Sequence, residues 1–132
     1  MVRNPTDPRE WLRRARSNLT RAKTPSNDPQ ILLEDLCFDA QQAAEKALKA
    51  IAVALQIPFR KTHSLVELFD ILGRAGVTIP DDVKEAAKLT VYAVETRYPG
   101  FYDEVDVEEY EEAVYLAERV LVWAEELILA RT

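Results

Sequence analysis

Cysteine, histidine and methionine each occur once in this 132-residue chain, and glycine three times. The single thiol, Cys37, excludes a disulfide within the chain and points to a reducing compartment. One histidine and one cysteine, far apart in sequence, do not make a zinc site, so neither a metal nor a cofactor is expected. So few glycines disfavour a turn-rich all-β chain, and no Gly-rich phosphate loop or nucleophile elbow is present. Long apolar runs are missing too. The longest, Ala50 to Leu55, is far too short to span a bilayer. The opening residues MVRNPTDPREW lack the apolar centre of a signal peptide, so a cytoplasmic protein with no membrane association is expected. Positive charge is not in excess either: the net charge of −6 argues against a surface built for nonspecific nucleic-acid binding. No strand pattern, internal repeat or low-complexity segment appears, and the length suits one domain over 1–132.

What the chain does have is helical periodicity. The stretch Asp39 to Ile51 organises the rest. Leu33, Leu36, Cys37, Ala40, Ala44, Ala47, Leu48, Ile51 and Leu55 recur at threes and fours and define one apolar face. Its alanines favour the helix and let another helix approach closely. Gln41, Gln42, Glu45, Lys46 and Lys49 lie on the other side, read as a solvated back. Glu45, four residues before Lys49, makes a surface pair worth about 0.2–0.5 kcal/mol. This segment is the central strut of a helix bundle. It is expected to open near Asn27 or Asp28, with Pro29 in its first turn, and to run to about Gln56. That is about 28 residues, or about 42 Å.

The neighbours follow in order. Asp7-Pro8-Arg9-Glu10 opens the first helix as a capping box, with Trp11, Leu12, Ala15, Leu19 and Ala22 as its apolar stripe. Ser64 to Glu67 is a second capping box and starts a short helix with Leu65, Leu68, Phe69 and Leu72 inward, closed by Gly73 and Gly76. A fourth helix starts at Pro80-Asp81-Asp82 and ends at Pro99-Gly100. One of its stripes is Val83, Ala87, Val91, Val94 and Tyr98, and the adjacent one is Ala86, Thr90, Ala93 and Arg97. Asp106 to Glu109 opens the last helix, in which Ala113, Val114, Ala117, Val120, Leu121, Ala124, Leu127 and Ile128 keep the period. Leu116 and Trp123 widen its apolar face until a monomer would leave it exposed, so a homodimer is expected. The fold expected is all-α: an antiparallel up-and-down bundle of four main helices plus one short helix.

Charge is uneven along the chain. Residues 1–23 carry Arg3, Arg9, Arg13, Arg14, Arg16, Arg21 and Lys23 against Asp7 and Glu10, whereas residues 103–126 are acidic except for Arg119. The simplest account is that the two segments lie side by side. The functional alternative is a basic face for a partner or a phosphate-bearing ligand. Paired acids such as Glu108-Glu109 and Glu111-Glu112 belong on a solvated face. His63, as the only histidine, invites a catalytic reading. The structural reading is preferred, because nothing near it in sequence pairs with it. Arg97 continues a row of small residues at the edge of a buried face and so needs a carboxylate, a second subunit or an anionic ligand. With Tyr98, Tyr102 and Asp103 it forms the candidate ligand-binding cluster: guanidinium and hydroxyl groups hold phosphate, and aromatic rings stack a base. A lock between Arg97 and a carboxylate is the structural alternative.

Four motifs in this order, Trp11-Leu12-Arg13-Arg14-Ala15, FDAQQAAEKALKAI from Phe38 to Ile51, Lys61-Thr62-His63-Ser64-Leu65 and Thr96-Arg97-Tyr98-Pro99, resemble HEPN-domain proteins over nearly the whole chain. The central motif is the most specific. The resemblance implies a usually dimeric bundle that acts with a minimal nucleotidyltransferase, helps to bind nucleotide, and often belongs to a toxin–antitoxin pair. Toxic members are metal-independent ribonucleases that use an arginine followed after four to six residues by histidine. Arg97 matches the arginine, but Tyr102, Asp103 and Glu104 occupy the positions of the histidine, and tyrosine exchanges protons poorly near neutral pH. A nucleotide- or partner-binding module is therefore the preferred reading. A ribonuclease acting on RNA with an unusual proton donor, and a purely structural homodimeric scaffold, are the alternatives.

Overall fold

The computed structural model describes residues 4–24, 28–93 and 104–131. Over these residues the chain forms α1 (Pro8–Lys23), α2 (Leu33–Ala54), α3 (Leu65–Arg74), a single turn α4 (Asp81–Lys84) that runs on as a 3₁₀ helix (Glu85–Ala93), and α5 (Val107–Leu129). The result is the expected all-α up-and-down bundle. α2 is its strut, in contact with α1, α3, the 3₁₀ helix and α5. α1 runs antiparallel to both α2 and α5. Its C-terminal Arg21 pairs with Asp39 near the start of α2, and the Tyr110 hydroxyl of α5 donates to the Ala22 carbonyl. No helix among the described residues is long and apolar enough to cross a membrane.

Local chemistry sets most boundaries. Asp7 caps α1 by accepting from the Arg9 N–H at 2.9 Å, Ser64 caps α3 from Glu67 at 3.2 Å, and Asp106 caps α5 from Glu109 at 2.7 Å. The reciprocal half of each expected capping box is diverted. Glu10 takes Arg13 and Arg14, Glu67 takes Arg60 and Thr62, and Glu109 accepts from the Tyr92 hydroxyl at 2.6 Å. A charged or hydroxyl donor outcompetes a backbone N–H for a carboxylate. α2 and α3 end in the same backbone motif. Ile57 N–H reaches the Ala52 carbonyl at 2.8 Å and Val77 N–H reaches the Leu72 carbonyl at 3.0 Å. The left-handed residue is Gly76 (φ 96°) after α3 but Gln56 (φ 57°) after α2, where a side chain opposes the conformation. Gly73 lies inside α3 and does not end it.

Three expectations are corrected. The first concerns where α2 begins: at Leu33, not near Asn27 or Asp28, so that it has 22 residues. Asn27 lies outside the described residues. The Asp28 carboxylate accepts from Gln30 N–H at 2.9 Å and its carbonyl from Ile31 N–H at 3.1 Å, which closes a turn; Leu32 then stays extended. The second concerns the fourth helix, which among the described residues is α-helical for one turn only. Its buried side chains, Val83, Ala86, Leu89 and Tyr92, recur strictly every third residue, as three residues per turn require. The expected Val83–Ala87–Val91 stripe assumed a period of 3.6, and Val91 is exposed. Its end, from Val94 to Gly100, lies outside the described residues. The third concerns Leu116 and Trp123, which are buried within one chain. The wide apolar face of α5 is covered by its own bundle, so its width gives no ground for a dimer.

The two charge-biased segments do lie side by side. Arg16 pairs with Glu125 and Lys23 with Glu118, each at 3.0 Å, across the α1–α5 seam.

Candidate functional site

The back of α2 is not solvated. Gln41 is fully buried, and Glu45, Lys49 and Asp39 are nearly so. The reason is position: a strut with neighbours on several sides has little outer surface, so its polar residues must find partners inside. They form two rows.

In the first row, Gln41, Glu45 and Lys49 follow one another at four-residue spacing. The Lys49 ammonium donates to Glu45 Oε2 at 2.9 Å, and Gln41 Nε2 donates to Glu45 Oε1 at 3.2 Å. His63 Nδ1 lies 3.0 Å from the same Oε1. Gln41 Nε2 also reaches the His63 carbonyl at 3.2 Å, and Gln42 Nε2 donates to Gln41 Oε1 at 2.7 Å. Lys49 sits 5.9 Å from the centre of the Trp11 ring. Trp11 is itself fixed by donating to the Pro5 carbonyl at 2.7 Å and by an edge contact with Phe59.

Burial would raise the Glu45 carboxyl, but the hydrogen bonds from Lys49, Gln41 and His63 overcome it and hold the group below the ordinary glutamate value. Glu45 is therefore an anion. A carboxylate only accepts, so His63 Nδ1 must carry the hydrogen, and in the neutral ring the lone pair lies on Nε2. The His63 side chain is 65% exposed while Glu45 is 4% exposed. A buried acid thus orients the imidazole of a largely exposed side chain. Thr90 Oγ1 accepts from the Leu65 N–H at 3.2 Å and docks the 3₁₀ helix on the segment just after His63.

The second row joins α1 to the start of α2. Arg21 and Asn18 both donate to Asp39, and Lys46 donates to Asn18 Oδ1 at 2.7 Å. Burial pushes the Lys46 ammonium down, and nearby Arg14 and Arg21 add to it against the opposing pull of Glu45 and Asp39.

Of the residues singled out from sequence, Arg97, Tyr98, Tyr102 and Asp103 lie outside the described residues, so the candidate cluster has no geometry here. His63 is corrected. It has a partner, Glu45, which lies 18 residues earlier and is returned to it by the turn after α2. The Glu45–Lys49 pair forms, but it is buried rather than on the surface. One sequence signal could have found this row. Gln41 and Glu45 stand at four-residue spacing in a helix with alanine on nearly every other side, which leaves no room for a broad solvated face. Among the described residues, no three His, Cys, Asp or Glu side chains gather to hold a metal ion.

The architecture is that of a helical bundle with a polar seam along its central helix. The HEPN domain matches residues 8–127, and the chain belongs to that family. It is similar to TT1696 from Thermus thermophilus, with 36% identity, 90% of this chain and 96% of that one covered, and a TM-score of 0.72. It is also similar to ST0689, an archaeal HEPN homologue, with 26% identity, 92% and 98% covered, and a TM-score of 0.70. No curated protein sequence matches the chain.

Proposed function

We propose that this HEPN-domain protein is a nucleotide-binding or partner-binding helical subunit that acts with a minimal nucleotidyltransferase, as one member of a toxin–antitoxin pair, and that two copies associate. The observation that carries the reading is the polar seam. Ordinary bundle cores are apolar, and a buried row of Gln41, Glu45 and Lys49 that surfaces at a prepositioned His63 costs desolvation without adding stability over an apolar row. Such a row suits a site that must hold a polar group in fixed orientation. Arg97, Tyr98, Tyr102 and Asp103 are the proposed ligand contacts, since arginine and tyrosine hydroxyls suit phosphate and aromatic rings suit a base. The test is calorimetric titration of the protein with ATP and other nucleotides, alone and beside the Arg97→Ala variant, together with co-purification of a co-expressed small nucleotidyltransferase. Heat that the variant loses supports nucleotide binding. No heat and no co-purified partner would sink the proposal.

A second reading draws on one specific observation. An imidazole with Nδ1 on a buried carboxylate, in a side chain that is largely exposed, is the arrangement of a general base. In that reading, His63 replaces the histidine missing after Arg97, and the protein cleaves RNA without metal. Cleavage of RNA that both His63→Ala and Arg97→Ala abolish would favour it over the binding module.

A further inference from the structure

The solvent side of α5 carries three large apolar side chains in one line. Tyr115, Val122 and Leu129 are 58%, 39% and 73% exposed, and they follow each other at intervals of seven residues. On a helix that spacing draws a nearly straight seam about 21 Å long. The core of α5, including Leu116, Val120, Leu121, Trp123 and Ile128, is buried on the other side, so the line is separate from the packing of the bundle. Single exposed apolar residues are ordinary; these three stand in register, one per heptad, with charged residues between them.

The flanks decide what kind of helix. Along α5, Glu108, Glu111, Glu112, Glu118, Glu125 and Glu126 border the seam, and Arg119 is the helix's one cation. Arg119 is already neutralised by Asp82 at 2.7 Å. Glu118 and Glu125 hold Lys23 and Arg16 of α1, which shows what this border accepts. Glu108, Glu111 and Glu126 make no salt bridge to another described residue, and they add to the negative charge of this face. A second copy of the chain meeting this face about a two-fold axis would set glutamate rows against glutamate rows. The complementary surface is basic.

We infer that the outer face of α5 is a docking surface for a basic amphipathic helix of a partner protein, with apolar residues at heptad spacing set along Tyr115, Val122 and Leu129 and lysine or arginine beside Glu108, Glu111 and Glu126. This names the face and the chemistry for the partner-binding half of the proposed function, and rests on that half. The acidic border also steers such a partner at low salt.

The test uses two labelled synthetic helices of about three heptads with the same leucine seam, one flanked by lysine and one by glutamate. Each is titrated with the full chain by fluorescence anisotropy, at low and high salt. The lysine-flanked helix binds, salt weakens it, and the glutamate-flanked helix does not bind. In the Val122→Ser/Leu129→Ser variant, whose helicity is checked by circular dichroism, affinity falls by about tenfold or more through lost apolar contact. Equal binding to the double variant would reduce the effect to bulk charge and overturn the inference, as would equal binding of both helices. Sedimentation showing a wild-type dimer that the double variant breaks would assign the face to a second copy and also overturn it. If a nucleotidyltransferase co-purifies while the lysine-flanked helix fails to bind, the α5 inference falls and the partner reading stands.

Discussion

The ion pairs that tie α1 to α5 and the pair inside α2 use the same chemical groups at nearly the same separation. Arg16–Glu125 and Lys23–Glu118 are 3.0 Å apart, and Lys49–Glu45 is 2.9 Å apart. Their surroundings differ. The α1–α5 side chains are 40–53% exposed, whereas Lys49 and Glu45 are 8% and 4% exposed. In the exposed seam, water solvates each charge whether or not it is paired, so pairing adds little and salt weakens it. Inside, each charge has given up its water and depends wholly on its partners. The exposed pairs therefore adjust how two helices lie together. The buried row is a commitment: it fixes Gln41, Lys49 and His63 around one carboxylate, and it is far more sensitive to change.

The sharpest way to break this comparison is to remove one member of the buried pair. Lys49→Met leaves Glu45 without its principal cation and is expected to cost about 3–5 kcal/mol in denaturant unfolding. Adding Glu45→Leu to it should restore most of that loss, because an apolar row of similar volume fills the space without stranded charge. A single-variant loss as small as that of a surface pair would place the row with the exposed seam. The other packed row of α2 sets the scale next to it. Ala44 is fully buried in close helix contact, and Ala44→Leu should cost about 1–3 kcal/mol by overpacking.

A smaller effect appears with pH. The folded Glu45 carboxyl sits below its unfolded value. Its ionisation therefore stabilises the fold above the unfolded glutamate value, and that contribution is lost as pH falls through the folded one. Thermal melts across the acid range should show a decline in wild type that is shallower in Glu45→Gln. Identical slopes would contradict the assignment of Glu45 as the held anion. The smallest change belongs to the exposed seam. Arg16→Ala or Glu125→Ala should shift stability by only about 0.2–1 kcal/mol, and added salt should shrink the shift further. A larger, salt-insensitive loss would mean that the exposed and buried pairs are not so different.

What the sequence discloses and what it hides follows from how local each feature is. Asp7, Ser64 and Asp106 cap their helices from within a few residues, so the starts of α1, α3 and α5 are legible from composition and spacing. The alanines of α2 announce a strut for the same reason. The start of α2 misleads because an aspartate before proline serves equally to cap a helix or to close a turn, and Asp28 does the latter. The 3₁₀ helix is hidden because Val83, Ala86, Leu89 and Tyr92 differ from an α-helical stripe only in period, and the residue types favour neither. The His63–Glu45 contact is hidden because it is tertiary: it needs the turn at Gln56 and the docking of the connector before the two side chains meet. The legible part of the candidate site is thus the type of its residues. Arg97, Tyr98, Tyr102 and Asp103 stand on that alone.

Everything proposed for the seam rests on Glu45 fixing the His63 ring with its hydrogen on Nδ1. The chain has a single histidine, so ring-nitrogen NMR of a ¹⁵N-labelled sample reads that residue without ambiguity. At a pH where the ring is neutral, the wild-type spectrum should show the Nδ1–H form, and Glu45→Leu should release the ring to the Nε2–H form or to a mixture. A wild-type ring already in the Nε2–H form, or one indifferent to the substitution, would contradict the account.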